Sequence, residues 1–226
     1  MNAVPAKLGF YASLVAFLAT VGYSIVQIAQ VLGWLSAPLD AILIYGFSLG
    51  IAVPFLLALL ALFYITPPER KIWSHAAVLF AVIYVVYVTL NYVVQLATVI
   101  PAMRNGTLSE IRVLDQTPHS LFWDVDGLGY LFMGLASLFA WPVFSKNGVQ
   151  RWARLFFLAN ALITPVIAVI YFYPHFSIGL LLAGLPWVIT APGAMWCLAR
   201  CFSAELNPQR GKLLYPQEDA IQILLQ

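Results

Sequence analysis

The sequence predicts an all-α protein, a polytopic membrane bundle of six transmembrane helices with both termini on the cytoplasmic side. Of its 226 residues, 62% are hydrophobic and only 9% are charged, whereas soluble domains carry roughly a quarter charged residues. Six apolar stretches each reach the length of about 20 residues that a helix needs to cross a bilayer. Lysine and arginine are concentrated in alternate connecting segments, as the positive-inside rule requires.

The six predicted helices cover, approximately, residues 8–34, 38–65, 72–100, 121–145, 153–173 and 177–199. Proline and polar residues separate them and are typical of loops. The first stretch is too long for the apolar region of a secretory signal peptide, and no clean small-residue cleavage site ends it, so we expect it to be retained. Residues 1–202 are therefore predicted to form one six-helix domain, and residues 203–226 a short cytoplasmic tail.

The distribution of basic residues predicts the orientation. If the N-terminus is inside, the external segments hold only Arg104 and Arg112, and the cytoplasmic segments hold Lys7, Arg70, Lys71, Lys146, Arg151, Arg154, Arg200, Arg210 and Lys212. This bias predicts an integral protein of a bacterial-type inner (plasma) membrane, whose constant partner is the lipid bilayer. The formal net charge is only +2 and no basic run occurs, so nucleic acid is not an expected partner.

Polar side chains within the predicted helices are the main indication of a functional site. An unpaired polar group is costly in hydrocarbon, so such residues face the bundle interior, where they serve packing or function. Helical spacing places Tyr84, Asn91 and Gln95 in one stripe of the third helix. Gln27 of the first helix lies at a similar depth, outward of the middle of the bilayer. We therefore expect these side chains to converge in the outer half of the bundle.

The fourth predicted helix contributes the acidic group of this candidate site. Its start is predicted at Thr117, because threonine is a favoured N-cap and the following proline suits the first helical position. His119, Asp126 and Tyr130 then fall on one face of the helix. The candidate ligand-binding residues are thus Gln27, Tyr84, Asn91, Gln95, His119, Asp126 and Tyr130.

Sequence motifs of the common enzyme classes are not found. The chain has no Walker A loop, no Rossmann glycine fingerprint, no His-Glu-x-x-His and no Gly-x-Ser-x-Gly. Its three histidines cannot supply the paired ligands of a multi-haem cytochrome. The sequence therefore assigns no catalytic residue and no metal ligand, and it leaves the cofactor unknown.

Three functions remain open at this stage. The favoured one is a non-enzymatic protein that binds or passes a small apolar or amphipathic molecule through an outward-facing pocket. The second is a structural or accessory membrane subunit, whose polar residues only specify helix packing. The third is an enzyme of the outer leaflet that uses a His119–Asp126 pair, with His175 as a second base or a metal ligand. A solvent-facing His119 would exclude it.

A pair of glycines predicts close helix packing. Gly46 and Gly50 are four residues apart on the second helix, and small residues at this spacing let helix backbones approach each other. The contact lies either within the chain or between two copies of it. A homo-oligomer through Gly46 and Gly50 is therefore an expectation.

Overall fold

The computed structural model describes residues 3–207, in which all regular secondary structure is helical and no strand occurs. It contains eight α-helices: α1 (Ala3–Val31), α2 (Leu39–Ile65), α3 (Lys71–Val94), α4 (Ile100–Asn105), α5 (Leu121–Ala140), α6 (Gln150–Phe172), α7 (Ile178–Leu182) and α8 (Trp187–Leu206). A π-helical turn, Gln95–Val99, joins α3 to α4. Short 3₁₀ turns occur at Pro68–Arg70, Leu108–Leu114 and Trp141–Val143.

Five helical segments of the described chain are long and apolar enough to cross a membrane: Ala3–Val31, Leu39–Ile65, Pro68–Asn105, Gln150–Phe172 and Ile178–Leu206. The described chain is thus a helical bundle with five candidate membrane-spanning segments, identified by their length and composition. The fourth predicted span corresponds to α5, which has 20 residues and does not belong to these five. Its two aspartates, Asp124 and Asp126, lower its mean hydropathy.

The six longest helices form a closed ring. α1 packs on α2, α2 on α3, α3 on α5, α5 on α6 and α6 on α8, and α8 packs back on α1. Helices that follow each other in sequence are therefore neighbours in space, as in up-and-down bundles. The closure of the ring brings Gly9 of α1 against the aromatic ring of Phe202 on α8.

Small residues allow this close packing, and a few large side chains fill the interior. Membrane helices gain little from the hydrophobic effect, so they associate through tight van der Waals contact between small residues. The alanines that are completely buried are Ala16, Ala52, Ala58, Ala61, Ala77, Ala81, Ala136, Ala140 and Ala153. The largest fully buried side chains include Phe55, Phe157, Phe202 and Met133.

Two arginines join the loops at one end of the ring, which we call the basic end. Arg70 Nη1 donates a hydrogen bond of 3.0 Å to the carbonyl of Val143. Arg154 Nη1 donates one of 2.9 Å to the carbonyl of Phe144, and its guanidinium lies 4.0 Å from the ring centre of Trp141. Both cations thus cap the C-terminal end of α5, where helix carbonyls lack intrahelical partners.

The last predicted span, residues 177–199, is not one continuous helix. α7 ends at Leu182, and α8 begins at Trp187 with Pro186 as its N-cap residue. A proline inside a helix removes a backbone donor, and here residues 183–186 form tight turns, with hydrogen bonds between residues three apart, that interrupt the α-helix. α8 then continues to Leu206, beyond the predicted end of the domain at 202. The rest of the predicted tail, with Arg210 and Lys212, lies outside the described residues.

The two glycines of α2 differ in their surroundings. A Cβ added to Gly50 would lie 3.2 Å from the Cβ of Ala19 on α1, whereas one added to Gly46 would have nothing within 4 Å. Gly50 therefore serves helix packing within the chain. Gly46 opens to the outside of the ring, and a homo-oligomer through this pair stays a prediction.

The contact between α5 and α6 can be tested by adding one methyl group. We expect Gly134→Ala to lower the free energy of unfolding, because its Cβ would overlap the side chain of Thr164, and overpacking costs about 1–3 kcal/mol. Gly46→Ala is the matched control and should leave stability unchanged or slightly higher, since alanine favours helix. The measurement is unfolding in detergent; equal stability of the two variants would contradict the packing of α5 on α6.

Candidate functional site

The centre of the candidate site is a buried carboxyl group. Asp126, near the start of α5, is only 3% exposed. Its Oδ2 atom accepts a hydrogen bond of 2.7 Å from the hydroxyl of Tyr171 on α6. The same oxygen accepts a second hydrogen bond, of 3.0 Å, from Nε2 of Gln116. Both donors are neutral side chains.

Two amide side chains, Asn91 of α3 and Gln95 of the π turn that follows it, bind the loop that contains Gln116. Asn91 Nδ2 donates a hydrogen bond of 2.9 Å to Oε1 of Gln116. Gln95 accepts one of 3.2 Å from the backbone N–H of Gln116 and donates one of 2.7 Å to the carbonyl of Leu114. The structure thus brings Asn91, Gln95 and Asp126 together around Gln116. With Tyr171, these five residues form what we call the Asp126 cluster.

Gln95 is also the first residue of the π-helical turn between α3 and α4. A π turn shifts the register of a helix by one residue and is frequent at functional sites. Here it follows Asn91 by one helical turn, so both amides reach the same loop segment. This explains how residues 106–120, which connect α4 to α5, are fixed over the end of the ring opposite the basic end.

Two oxygen atoms of the Asp126 cluster have no hydrogen-bond partner. Asp126 Oδ1 and Asn91 Oδ1 are both buried and unpaired within the described chain. Asn91 has no exposed surface, and it interacts with the Asp126 carboxyl, as does Tyr92 on the same helix. Buried polar atoms in native proteins nearly always have a partner, so each exception calls for an explanation.

A cleft of about 100 Å³ adjoins this cluster; we call it the α1–α8 cleft. Tyr171 lies in its wall, so one residue belongs to both the cluster and the cleft. Its other residues with a polar or indole group are Tyr23, Gln27, Tyr130 and Trp187. The apolar part of the wall consists of Val31, Ile167, Ile170, Leu181, Leu182, Leu185 and Val188, with Gly184.

Aromatic contacts connect the walls of the cleft. The ring of Tyr130 is stacked on that of Tyr171 at 5.9 Å between ring centres. Tyr130 also meets Trp187 edge to face at 5.6 Å, and Trp187 meets Tyr23 of α1 at 5.3 Å. Such edge-to-face and offset pairs are favoured geometries. These contacts link aromatic side chains of α1, α5, α6 and α8 into one continuous group.

Gln27 belongs to a chain of hydrogen bonds along α1. The hydroxyl of Tyr23 donates to Gln27 Oε1 at 3.1 Å, and Gln27 Nε2 donates to Gln30 Oε1 at 3.0 Å. Gln30 Nε2 in turn donates to Oδ2 of Asp40 at 2.8 Å. Gln27 retains one amide hydrogen and one lone pair for a ligand.

Two of the predicted site residues lie elsewhere. Tyr84 is buried against Phe55, with 5.5 Å between ring centres in an edge-to-face contact, and does not line the cleft. His119 is exposed, with a φ angle of 66°. The N-cap of α5 is Ser120 rather than the predicted Thr117, and Ser120 Oγ accepts the backbone N–H of Trp123 at 3.2 Å.

The shift of this N-cap separates His119 from Asp126. Pro118 and His119 form a turn ahead of the helix, so the helical spacing that placed His119 on the face of Asp126 does not apply. His175 is exposed as well. The structure therefore offers no His119–Asp126 pair, and within residues 3–207 no group of three His, Cys, Asp or Glu side chains could hold a metal ion.

Sequence reasoning missed the two donors to Asp126. Gln116 lies in a polar loop, where no helical periodicity indicates that it points inwards. Tyr171 lies at the end of an apolar helix, where an interfacial tyrosine is ordinary. The one available signal was Gly127: a Cβ there would lie 2.8 Å from the Cβ of Tyr171, so glycine permits the close approach of α6 to this turn.

The role of Tyr171 can be tested by removing one oxygen. We expect Tyr171→Phe to lower the free energy of unfolding by about 1–3 kcal/mol, because the buried carboxyl loses a donor. Tyr173→Phe is the matched control, since Tyr173 is 51% exposed, and it should leave stability unchanged. Detergent unfolding curves measure both effects, and an unaltered curve for Tyr171→Phe would contradict the hydrogen bond to Asp126.

Comparison of the chain with models of known protein families, with curated proteins and with solved structures finds no match. The geometry of the Asp126 cluster and of the α1–α8 cleft is therefore the basis for a functional assignment.

Proposed function

We propose that this chain is an integral membrane protein that binds or passes a small apolar or amphipathic molecule through the α1–α8 cleft. The observation that carries this proposal is the composition of the cleft wall. Most of its residues are aliphatic or aromatic, and Gln27 and Tyr23 add polar groups on one side. Ligand sites commonly combine apolar walls with a few placed polar groups that orient the ligand.

The membrane setting of this proposal includes α5 as a sixth span. α5 packs between α3 and α6 in the ring, and Asp126, which lowers its hydropathy, is directed inwards rather than towards lipid. The basic end would be cytoplasmic, with both termini, under the positive-inside rule. The α1–α8 cleft, at the opposite end, would then lie in the outer half of a bacterial-type inner membrane.

Exposed aliphatic residues beside the cleft support entry from the bilayer. Ile28, Val31, Leu182 and Leu185 are each more than two-fifths exposed, and three of them also line the cleft. Such a rim would be unfavourable against water but suits lipid. An amphipathic ligand would place its apolar part along α6 and α8 and its polar group against Gln27.

The alternative is a structural or accessory subunit, in which the same polar contacts only specify helix packing. A protein of that kind would have no ligand in the cleft. The outer-leaflet enzyme is disfavoured, because His119 is exposed and Asp126 is buried.

A cleft-filling substitution separates the first two functions. Val188 lines the cleft, and Val188→Trp should fill it. The neighbouring Ile189 is 65% exposed and points outwards, so Ile189→Trp adds the same indole without closing the cleft. Native mass spectrometry in mild detergent should find a co-purifying small molecule on the wild type and on Ile189→Trp, and none on Val188→Trp.

Two outcomes would contradict the proposal. A wild-type protein that carries no adduct, even after addition of a long-chain alcohol as a probe, would favour the structural role. An adduct retained in Val188→Trp would place the ligand elsewhere on the protein.

A further inference from the structure

We propose that the Asp126 cluster is a binding site for one monovalent cation, a proton or Na⁺, held between the Asp126 carboxyl and the side-chain carbonyl of Asn91. This site shares only Tyr171 with the α1–α8 cleft and does not require that the cleft binds a ligand. Three observations on residues 3–207 carry it: a buried carboxyl, a second buried oxygen without a partner in this range, and the lack of a cationic side chain beside them within the same range.

The Asp126 carboxyl is buried without a countercharge in the described chain. A carboxylate inside a membrane bundle is stable only when a positive charge or a proton neutralises it. Tyr171 and Gln116, which donate to Asp126, are neutral. The two other side chains that interact with the carboxyl, Tyr92 and Asn91, are neutral as well. No Lys, Arg or His among residues 3–207 interacts with this carboxyl. The positive charge must therefore come from outside the described chain.

The titratable groups around Asp126 do not change this conclusion. Those that interact electrostatically with it are tyrosines of α1, α2, α3, α5 and α6, all neutral at physiological pH: Tyr23, Tyr45, Tyr84, Tyr92, Tyr130 and Tyr171. Asp115, in the loop ahead of α5, acts on Tyr45 together with Asp126, and it adds negative rather than positive charge.

Two side-chain oxygens of the Asp126 cluster have no hydrogen-bond donor within the described residues. Asp126 Oδ1 and Asn91 Oδ1 are both acceptors, and both lack a donor. If Asp126 Oδ1 carries a proton, it can donate a hydrogen bond to Asn91 Oδ1. Na⁺ would instead take both oxygens as ligands, because hard cations prefer carboxylate and amide oxygen. One positive charge at this place satisfies both atoms.

Asp40 is a natural control for this argument. It is another buried aspartate, only 8% exposed, but each of its oxygens has a donor. Oδ1 accepts the backbone N–H of Ala41 at 2.8 Å, and Oδ2 accepts from Gln30. Asp40 therefore has no oxygen that requires a cation.

The test is the dependence of thermal stability on Na⁺ and on pH, measured in detergent at constant ionic strength. A ligand that binds only the folded state raises the melting temperature by mass action. If the cation is Na⁺, replacing KCl with NaCl should raise the melting temperature of the wild type. If it is a proton, the folded state binds it more tightly than the unfolded chain, so the melting temperature should fall as pH rises.

Two variants show whether the dependence of the melting temperature on Na⁺ or pH arises at the Asp126 cluster. Asp126→Asn keeps the shape of the side chain without its charge and should lose the dependence seen in the wild type, while Asp40→Asn should retain it. Equal dependence in the wild type and in Asp126→Asn would overturn the proposal.

A second measurement needs no variant and remains decisive if Asp126→Asn fails to fold. On the wild-type protein, saturable binding of radioactive Na⁺ would identify sodium. An infrared band of a protonated carboxyl group at neutral pH, shifted in D₂O, would identify the proton. Absence of both signals would overturn the proposal.

Discussion

The fold of this protein is arranged around the cost of burying one carboxyl group inside an apolar ring of helices. Asp126 is almost fully buried, and in such surroundings an unsatisfied acceptor costs several kcal/mol. Two residues from different elements offset that cost by donating hydrogen bonds to the carboxyl: Tyr171 at the end of α6 and Gln116 in the loop ahead of α5. Because both donate to the same oxygen, the carboxyl ties the last turn of α6 to the loop ahead of α5.

The consequences extend from the cluster to the rest of this end of the bundle. Asn91 and Gln95 hydrogen-bond Gln116, the residue that donates to Asp126, and Gln95 is also the first residue of the π turn. Tyr171 is stacked on Tyr130, so the residue that donates to the carboxyl also shapes the cleft. We therefore expect that a change of charge at Asp126 alters the position of the Tyr171 side chain and, through it, the shape of the α1–α8 cleft.

The features that the sequence predicts are those that depend on hydrophobicity and on helical periodicity. Hydropathy is a property of whole segments, and it predicts the helical membrane bundle and five of its spans. Periodicity along α3 predicts that Asn91 and Gln95 share a face, which they do. The same reasoning fails at His119, because an N-cap shifted from Thr117 to Ser120 removes that residue from the helix.

Contacts that depend on the path of a loop could not be predicted in this way. Gln116 has no periodic neighbours, and only the folded chain shows that it turns inwards. The interruption between α7 and α8 is similar: Pro186 in the sequence indicates a disturbed helix, but not that Gly184 lies close to Ile170 of α6. Residues on both sides of this interruption form part of the wall of the cleft.

The most direct test of this account is a double-mutant cycle between Gln116 and Asp126, with the free energy of unfolding measured in detergent. Leucine has nearly the same size as either side chain and cannot hydrogen-bond. We expect Gln116→Leu alone to destabilise the protein by about 1–3 kcal/mol, because it leaves a buried carboxyl short of a donor. In the Asp126→Leu background the same substitution should cost much less, since no carboxyl remains to be satisfied. An equal cost in both backgrounds would show that the two residues are not coupled, and would contradict the central place given to the buried carboxyl.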